Sequence, residues 1–333
     1  MIVEIKEDIF KGNDFKGLNC LIQILTYKQR YQLFVELTNI KGKGLYQKLD
    51  IDDQKEIEEN YNKIIVEGAP EPIYSISEND SSYFDIEEAI RFFNQPVSII
   101  LENSLNDQYL LRAIIKYFDR TGEVKRQLNN GWIQFENAGG CSNVENFIKG
   151  KLLSFNNYTK NNHIYLRCFV LLDSDKEYPN APIKKTYDNL LLFLNTHHVI
   201  NHILEKRCME NYMPKEVFDY IANTSELKNW LAAYDHLSME QKNFLNISIG
   251  FSKKDKAGTS INLRSSLEPK IKELYSDVSE SNYEELDKGF KLANFKTEFP
   301  KQFGHHQVHK NTLQGRCGNN ELQDILDKIA ALL

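Results

Sequence analysis

Residues 169–179 read FVLLDSDKEYP. An apolar run ends in two aspartates, Asp173 and Asp175, one residue apart, and a loop follows. Two carboxylates this close raise each other's pKa by repulsion, and a cation between them would remove the conflict. The run extends upstream as HIYLRCFVLLD (163–173), which predicts a buried strand that carries the acids out at its end.

The flanking sequence repeats this pattern. PVSIILEN (96–103), GWIQFEN (131–137) and HHVINHIL (197–204) read as three more strands. Residues 106–120, 144–153 and 184–196 read as helices between them, the first with Asn106 or Asp107 as its cap. Strands separated by helices of this length imply parallel pairing and right-handed crossovers. The expected fold class is α/β, with residues 96–214 as a parallel sheet covered by helices on both faces. Residues 1–95 form an N-terminal accessory α/β region in which GLNCLIQILTYKQRYQLFVEL (17–37) fits either strands or a helix. Residues 215–333 read as mostly helical, closing with ELQDILDKIAALL (321–333), which suits either the core or an oligomer seam.

Composition narrows the function. The chain has 333 residues, 41% of them apolar, and a formal charge of -6. That balance disfavours a protein that coats nucleic acid, although it does not exclude a local basic patch. Its five cysteines are not spaced as a zinc site, which predicts a reduced, cytoplasmic protein. There is no run of roughly 18 apolar residues, so no membrane span is expected.

Ligands of open parallel sheets bind beyond the carboxyl ends of the strands. Glu102 closes the first strand, Asp173 and Asp175 the third, and Glu205 and Glu210 follow the fourth. The second strand ends in Gly139-Gly140, where backbone can approach a ligand closely. Clustered carboxylates favour a hard cation such as Mg²⁺ (or Mn²⁺).

The segments ILENSLND, FENAGGCSNV, FVLLDSDKE and HILEKRCMENYMP resemble the TOPRIM domain in its OLD-family branch. The match covers roughly residues 96–214. It implies a TOPRIM-like Rossmannoid sheet and a metal-dependent nuclease that acts on DNA or RNA. Metal would be held by Glu102, Asp107, Asp173, Asp175 and Glu210; Gly139 and Gly140 read as substrate-binding, and Lys206 and Arg207 either hold substrate phosphate or pair with the acids as a solvated face. Lys254, in the basic GFSKKDK loop, reads either as solvated surface or as a lysine that joins Glu102, Asp173 and Asp175 in catalysis. The sequence contains no Walker A loop. The resemblance therefore implies a stand-alone anti-phage effector with a separate ATPase partner, and a homodimer is compatible with it. Asn103 stands where the family usually has glycine. Asn106 stands where it often has a second acid, so the ligand is either Asp107, through a one-residue insertion, or Asn106.

Other motifs have plainer readings. Glu67 in IIVEGAPEP precedes proline rather than a helix, so Glu102 is the preferred family glutamate. His305, His306 and His309 lack the glutamate of a zinc-protease helix, and Tyr212 is read as packing. Two other functions fit the acids. One is a non-catalytic TOPRIM-like binding module. The other is a haloacid dehalogenase-type phosphatase, although Glu177 stands where that family wants Thr or Val.

Overall fold

The computed structural model describes residues 1–68, 72–158, 160–183, 185–254, 260–262 and 268–333; the side chains of residues 185, 186, 252–254 and 260–262 are outside the description. The N-terminal region contains a parallel sheet of β1 (Ile2–Ile5), β2 (Gln32–Phe34) and β3 (Tyr74–Ile76), in the order β2-β1-β3. The ambiguous stretch 17–37 divides: Phe15–Thr26 is a helix that buries Leu18, Leu21, Ile22 and Leu25, and β2 follows it.

The second sheet is made of β4 (Val97–Leu101), β5 (Ile133–Asn137), β6 (Cys168–Leu172) and β7 (Ile200–Ile203). All pairings are parallel and the order is β5-β4-β6-β7. Every residue of β4 and β6 is buried, as expected for central strands covered on both faces. On one face Ile99, Leu101, Phe169 and Leu171 pack with the helix Ser104–Phe118 and with C-terminal residues that include Trp230, Phe299 and Ile325. On the other, Ile100, Val170 and Leu172 meet Val144, Ile148, Tyr187 and Leu194. Residues 96–214 and 215–333 thus share one core, whereas most residues of the N-terminal region gather in a cluster of their own.

Three expectations need correction. The third strand begins at Cys168, because Asn162–Tyr165 forms a 3₁₀ turn that carries the Tyr165 hydroxyl to Glu88 Oε1 at 2.5 Å. The helix after β4 starts at Ser104 with Asn103 at its N-cap; Asp107 lies inside and its Oδ2 accepts the Asn103 N–H at 2.8 Å. A further helix, Glu123–Asn129, stands between that helix and β5. The C-terminal stretch is mostly helical, with one antiparallel hairpin of β8 (Ser252–Lys254) and β9 (Ser260–Asn262).

The last helix, Glu321–Ala330, buries Leu322, Ile325, Leu326 and Ile329 and packs on the Ser104–Phe118 helix and β7. It belongs to the core. Among the described residues no helix is long and apolar enough to cross a membrane.

Leu171 is wholly buried on β6, on the face that meets the helical layer. Leu171→Ala is expected to cost about 2–5 kcal/mol in urea unfolding. A loss under roughly 1 kcal/mol would show that this face of β6 is loosely packed.

Candidate functional site

Chain connections leave β4 toward β5 on one side and β6 toward β7 on the other. The topology therefore reverses between β4 and β6, and a crevice opens beyond their carboxyl ends. Leu101 pairs with Leu171 across these strands, so Glu102 and Asp173 leave the sheet nearly side by side. The Tyr187 hydroxyl, from the Lys185–Thr196 helix, lies 3.2 Å from Glu102 Oε1 and 2.9 Å from the Asp173 carbonyl. Burial and the nearby acids raise the Tyr187 pKa far above the usual phenol range, so it stays a donor.

The D-S-D loop is fastened to the segment after β7. Ser174 Oγ donates to the Lys206 carbonyl at 2.7 Å, and the Asp175 N–H to the Arg207 carbonyl at 2.8 Å. Asp175 has a φ of 52°, in the left-handed region that aspartate tolerates better than most residues. A 3₁₀ turn, Met209–Tyr212, carries Glu210, and its Met209 N–H donates to Asp173 Oδ1 at 3.1 Å. Buried Asn211 holds the turn by donating to the Lys242 and Leu245 carbonyls at 2.8 and 2.9 Å.

These contacts bring Glu102, Asp107, Asp173, Asp175 and Glu210 within mutual electrostatic reach. Burial, then Glu210, Asp107, Glu102 and Asp175, push the Asp173 carboxyl well above the usual range. Asp107 is pushed up to about 7 by burial, with Glu210 and Glu102 adding to it and the Asn103 N–H opposing. A small cavity of ≈ 150 Å³ holds Asn106, Asp107, Asp173 and Glu210 on its wall. A second, of ≈ 320 Å³, is lined by Asp175, Lys176, Glu177, Tyr178, Arg207 and Glu268.

The all-carboxylate donor set suits a hard divalent cation. Among the described residues, however, no three His, Cys, Asp or Glu side chains are gathered into a metal cage. The hydrogen bonds account for this in part: Asp107 turns back onto Asn103, Asp173 takes the Met209 amide, and Glu102 meets Tyr187. A cation would compete with each of these bonds, and the repulsion among the acids favours its entry.

The remaining expected residues fall in different places. Gly139 and Gly140 have φ of 76° and 110°, so glycine is needed for the turn. The Gly140 N–H donates to the Glu102 carbonyl at 3.0 Å. Arg207 lines the second cavity, with Glu177 at 3.7 Å. Lys206 is corrected as a substrate group. It is 4% exposed, and its ammonium donates to Asn243 Oδ1 at 2.9 Å and the Cys317 carbonyl at 3.0 Å. Burial chiefly draws its pKa down to about 8. The Lys254 side chain lies outside the described residues. Glu67 ends an N-terminal helix and is exposed, Glu205 accepts from Asn319, and His309 Nδ1 caps its own helix by accepting the Thr312 N–H at 3.3 Å.

Sequence reasoning passed over Tyr187 and Lys296. Lys296, exposed on the helix Phe295–Lys301, lines the small acidic cavity. No local signal marks it, because a distant helix delivers it. Comparisons with protein-family models, curated proteins and solved structures found no match to this chain.

The raised Asp107 pKa gives a signed prediction for metal-free protein. The folded chain keeps this proton at pH values where the unfolded chain, with a carboxyl near 3.9, has lost it. Stability from this group is therefore greatest at low pH and is lost as pH rises through about 7. In EDTA, the melting temperature is expected to fall between pH 5 and pH 8, and less steeply in Asp107→Asn. Parallel curves for the two proteins would refute the assignment.

Proposed function

We propose that this protein is a Mg²⁺- or Mn²⁺-dependent nuclease that hydrolyses phosphodiester bonds of DNA or RNA. The observation that carries the reading is the convergence of five acids, from the ends of β4 and β6, the helix Ser104–Phe118 and the segment after β7, at the sheet's reversal point, with Asp173 and Asp107 raised by burial and their neighbours. Glu102, Asp173 and Asp175 would hold the cation, with Asp107 and Glu210 as further ligands. The bound cation would offset the acids' charge, polarise the scissile phosphate and promote ionisation of a water.

The chain's own groups do the rest. Tyr187 orients Glu102, and the Met209 amide orients Asp173. Lys296 brings positive charge to the acidic wall, the part that sequence reasoning gave to Lys254. Arg207, which lines the same cavity as Asp175, would meet a phosphate there. Two cavities lined by the acids, one by Asp107, Asp173 and Glu210 and the other by Asp175, suit a polymer passing over the rim better than one small ester. This favours a nuclease over a haloacid dehalogenase-type phosphatase. Action in the cytoplasm, an anti-phage role, control by a separate ATPase and homodimerisation are parts of the proposal that rest on the TOPRIM resemblance and on composition.

A second reading, binding without hydrolysis, is favoured by one observation: no three acids among the described residues are gathered for a metal. The test is cleavage of supercoiled plasmid and of total tRNA with Mg²⁺, Mn²⁺ or EDTA. Metal-dependent cutting is expected, lost in Asp173→Ala and Glu102→Ala and slowed by about 10²-fold in Lys296→Ala. Full activity in Asp173→Ala would sink the nuclease. No cutting by wild-type protein that also fails to bind Mg²⁺ or Mn²⁺ in calorimetry would select the binding module.

A further inference from the structure

His305 and His306, which lack the glutamate of a zinc-protease helix, gather instead around Tyr220. The Tyr220 ring, near the end of the helix Lys215–Ile221, has its centroid 4.3 Å from that of His305 and 5.7 Å from that of His306, and the two imidazoles are 4.1 Å apart. His305 Nδ1 accepts the Gln307 N–H at 3.2 Å, which holds its ring in place. Tyr220 is nonetheless 63% exposed, and His306 is exposed beside it. Three flat π systems thus meet at the surface, and the tyrosine ring keeps a face in water. A ring held this way is a stacking surface open to any nucleobase, because every base has a π face.

The place of the cluster adds to this. The stretch just before it borders the acids: Lys296, Pro300 and Phe303 line the small cavity with Asp107, Asp173 and Glu210. His305 follows Phe303 by two residues, so their backbones lie within about 7 Å, roughly two nucleotides of ~3.4 Å each. The local charge suits a polyanion. Residues 291–310 carry Lys291, Lys296, Lys301 and Lys310 against one acid, Glu298, in a chain of net charge -6. Glu298 is bonded to Lys301 at 2.6 Å, which leaves exposed Lys291 and Lys296 to set the sign of the segment. On the Tyr220 helix, Asp219 is paired with Lys215 at 2.7 Å, and Glu216 lines a different cavity, with Met213 and Tyr234. A duplex keeps its bases stacked inside, out of reach of a surface ring, whereas a single strand offers them.

We propose that Tyr220, His305 and His306 form a stacking platform for the bases of single-stranded nucleic acid, RNA or DNA, beside the acidic cavity. That the strand runs on from the platform to the acids rests on the nuclease reading; the platform itself does not.

The test is fluorescence anisotropy of the full chain with a labelled single strand of RNA, the same sequence as DNA, and the duplex of each. EDTA is present throughout, so that affinity is read without chemistry. At least one single strand is expected to bind tenfold or more tightly than its duplex, and the tighter of the two strands names the substrate. Tyr220→Ala should weaken that strand about tenfold, or ~1.4 kcal/mol, within the range for one stacked base. Its salt dependence should match wild type, because the ring carries no charge, and so should its melting temperature, because the ring is exposed. Tyr220→Phe, which keeps the ring, should bind as wild type does. No binding of either strand, equal binding of strand and duplex, or undiminished binding in Tyr220→Ala would overturn the platform. Tyr220-dependent strand binding without any metal-dependent cutting would uphold the platform and count against the nuclease. Metal-dependent cutting with undiminished strand affinity in Tyr220→Ala would do the reverse.

Discussion

The carboxylate of Glu321, 2% exposed at the start of the last helix, organises the acidic end of the sheet. It accepts the Glu205 N–H at 2.7 Å, the Tyr212 hydroxyl at 2.5 Å and the His202 Nε2–H at 2.9 Å. Lys328, about two turns further along the same helix, donates to His202 Nδ1 at 3.1 Å, which fixes the ring. A buried charge is tolerated only when it is bonded this fully. Through these bonds the C-terminal helix grips both ends of residues 202–212, the segment that presents Glu210. Mutual repulsion would otherwise drive Glu210 away from Asp173.

The same constraint explains how acids can crowd together at all. Each bears on a rigid support: β4 for Glu102, β6 for Asp173, and a 3₁₀ turn pinned by Asn211 for Glu210. The hydrophobic core beneath, shared by the sheet and the helical layer, holds them against electrostatic strain. The concentration of charge and the stability of the fold are in opposition at this rim, where the neighbouring acids push the Asp173 carboxyl up.

Much of this is legible in the sequence, for physical reasons. β4 and β6 are covered on both faces, so they read as unbroken apolar runs, and their terminal acids mark where the cover ends. The apolar pattern alone thus places the acids after β4 and β6 together with Glu210. The features it misses depend on distant partners. Lys206 reads as a cation able to meet substrate, but it is buried, with its ammonium on Asn243 and the Cys317 carbonyl. Residues 163–167 read as strand, but Tyr165 bends to Glu88, and Arg167 donates to the Leu332 carbonyl at 2.7 Å. Lys296 reaches the rim on a helix nearly two hundred residues after β4. Asp107 reads as a cap, because a cap and a reach-back acceptor differ only in where the helix begins.

The core that runs unbroken from the sheet into residues 215–333 also bears on inheritance. Trp230, Phe299 and Ile325 fill space against Leu101 and Leu171, and no seam separates the two sets. Recombination that joined residues 96–214 to a foreign C-terminal half would leave both halves with exposed apolar faces. A change of side-chain volume in one stretch is therefore felt by the packing of the other. The N-terminal region, with most of its own cluster self-contained, is the piece more open to exchange.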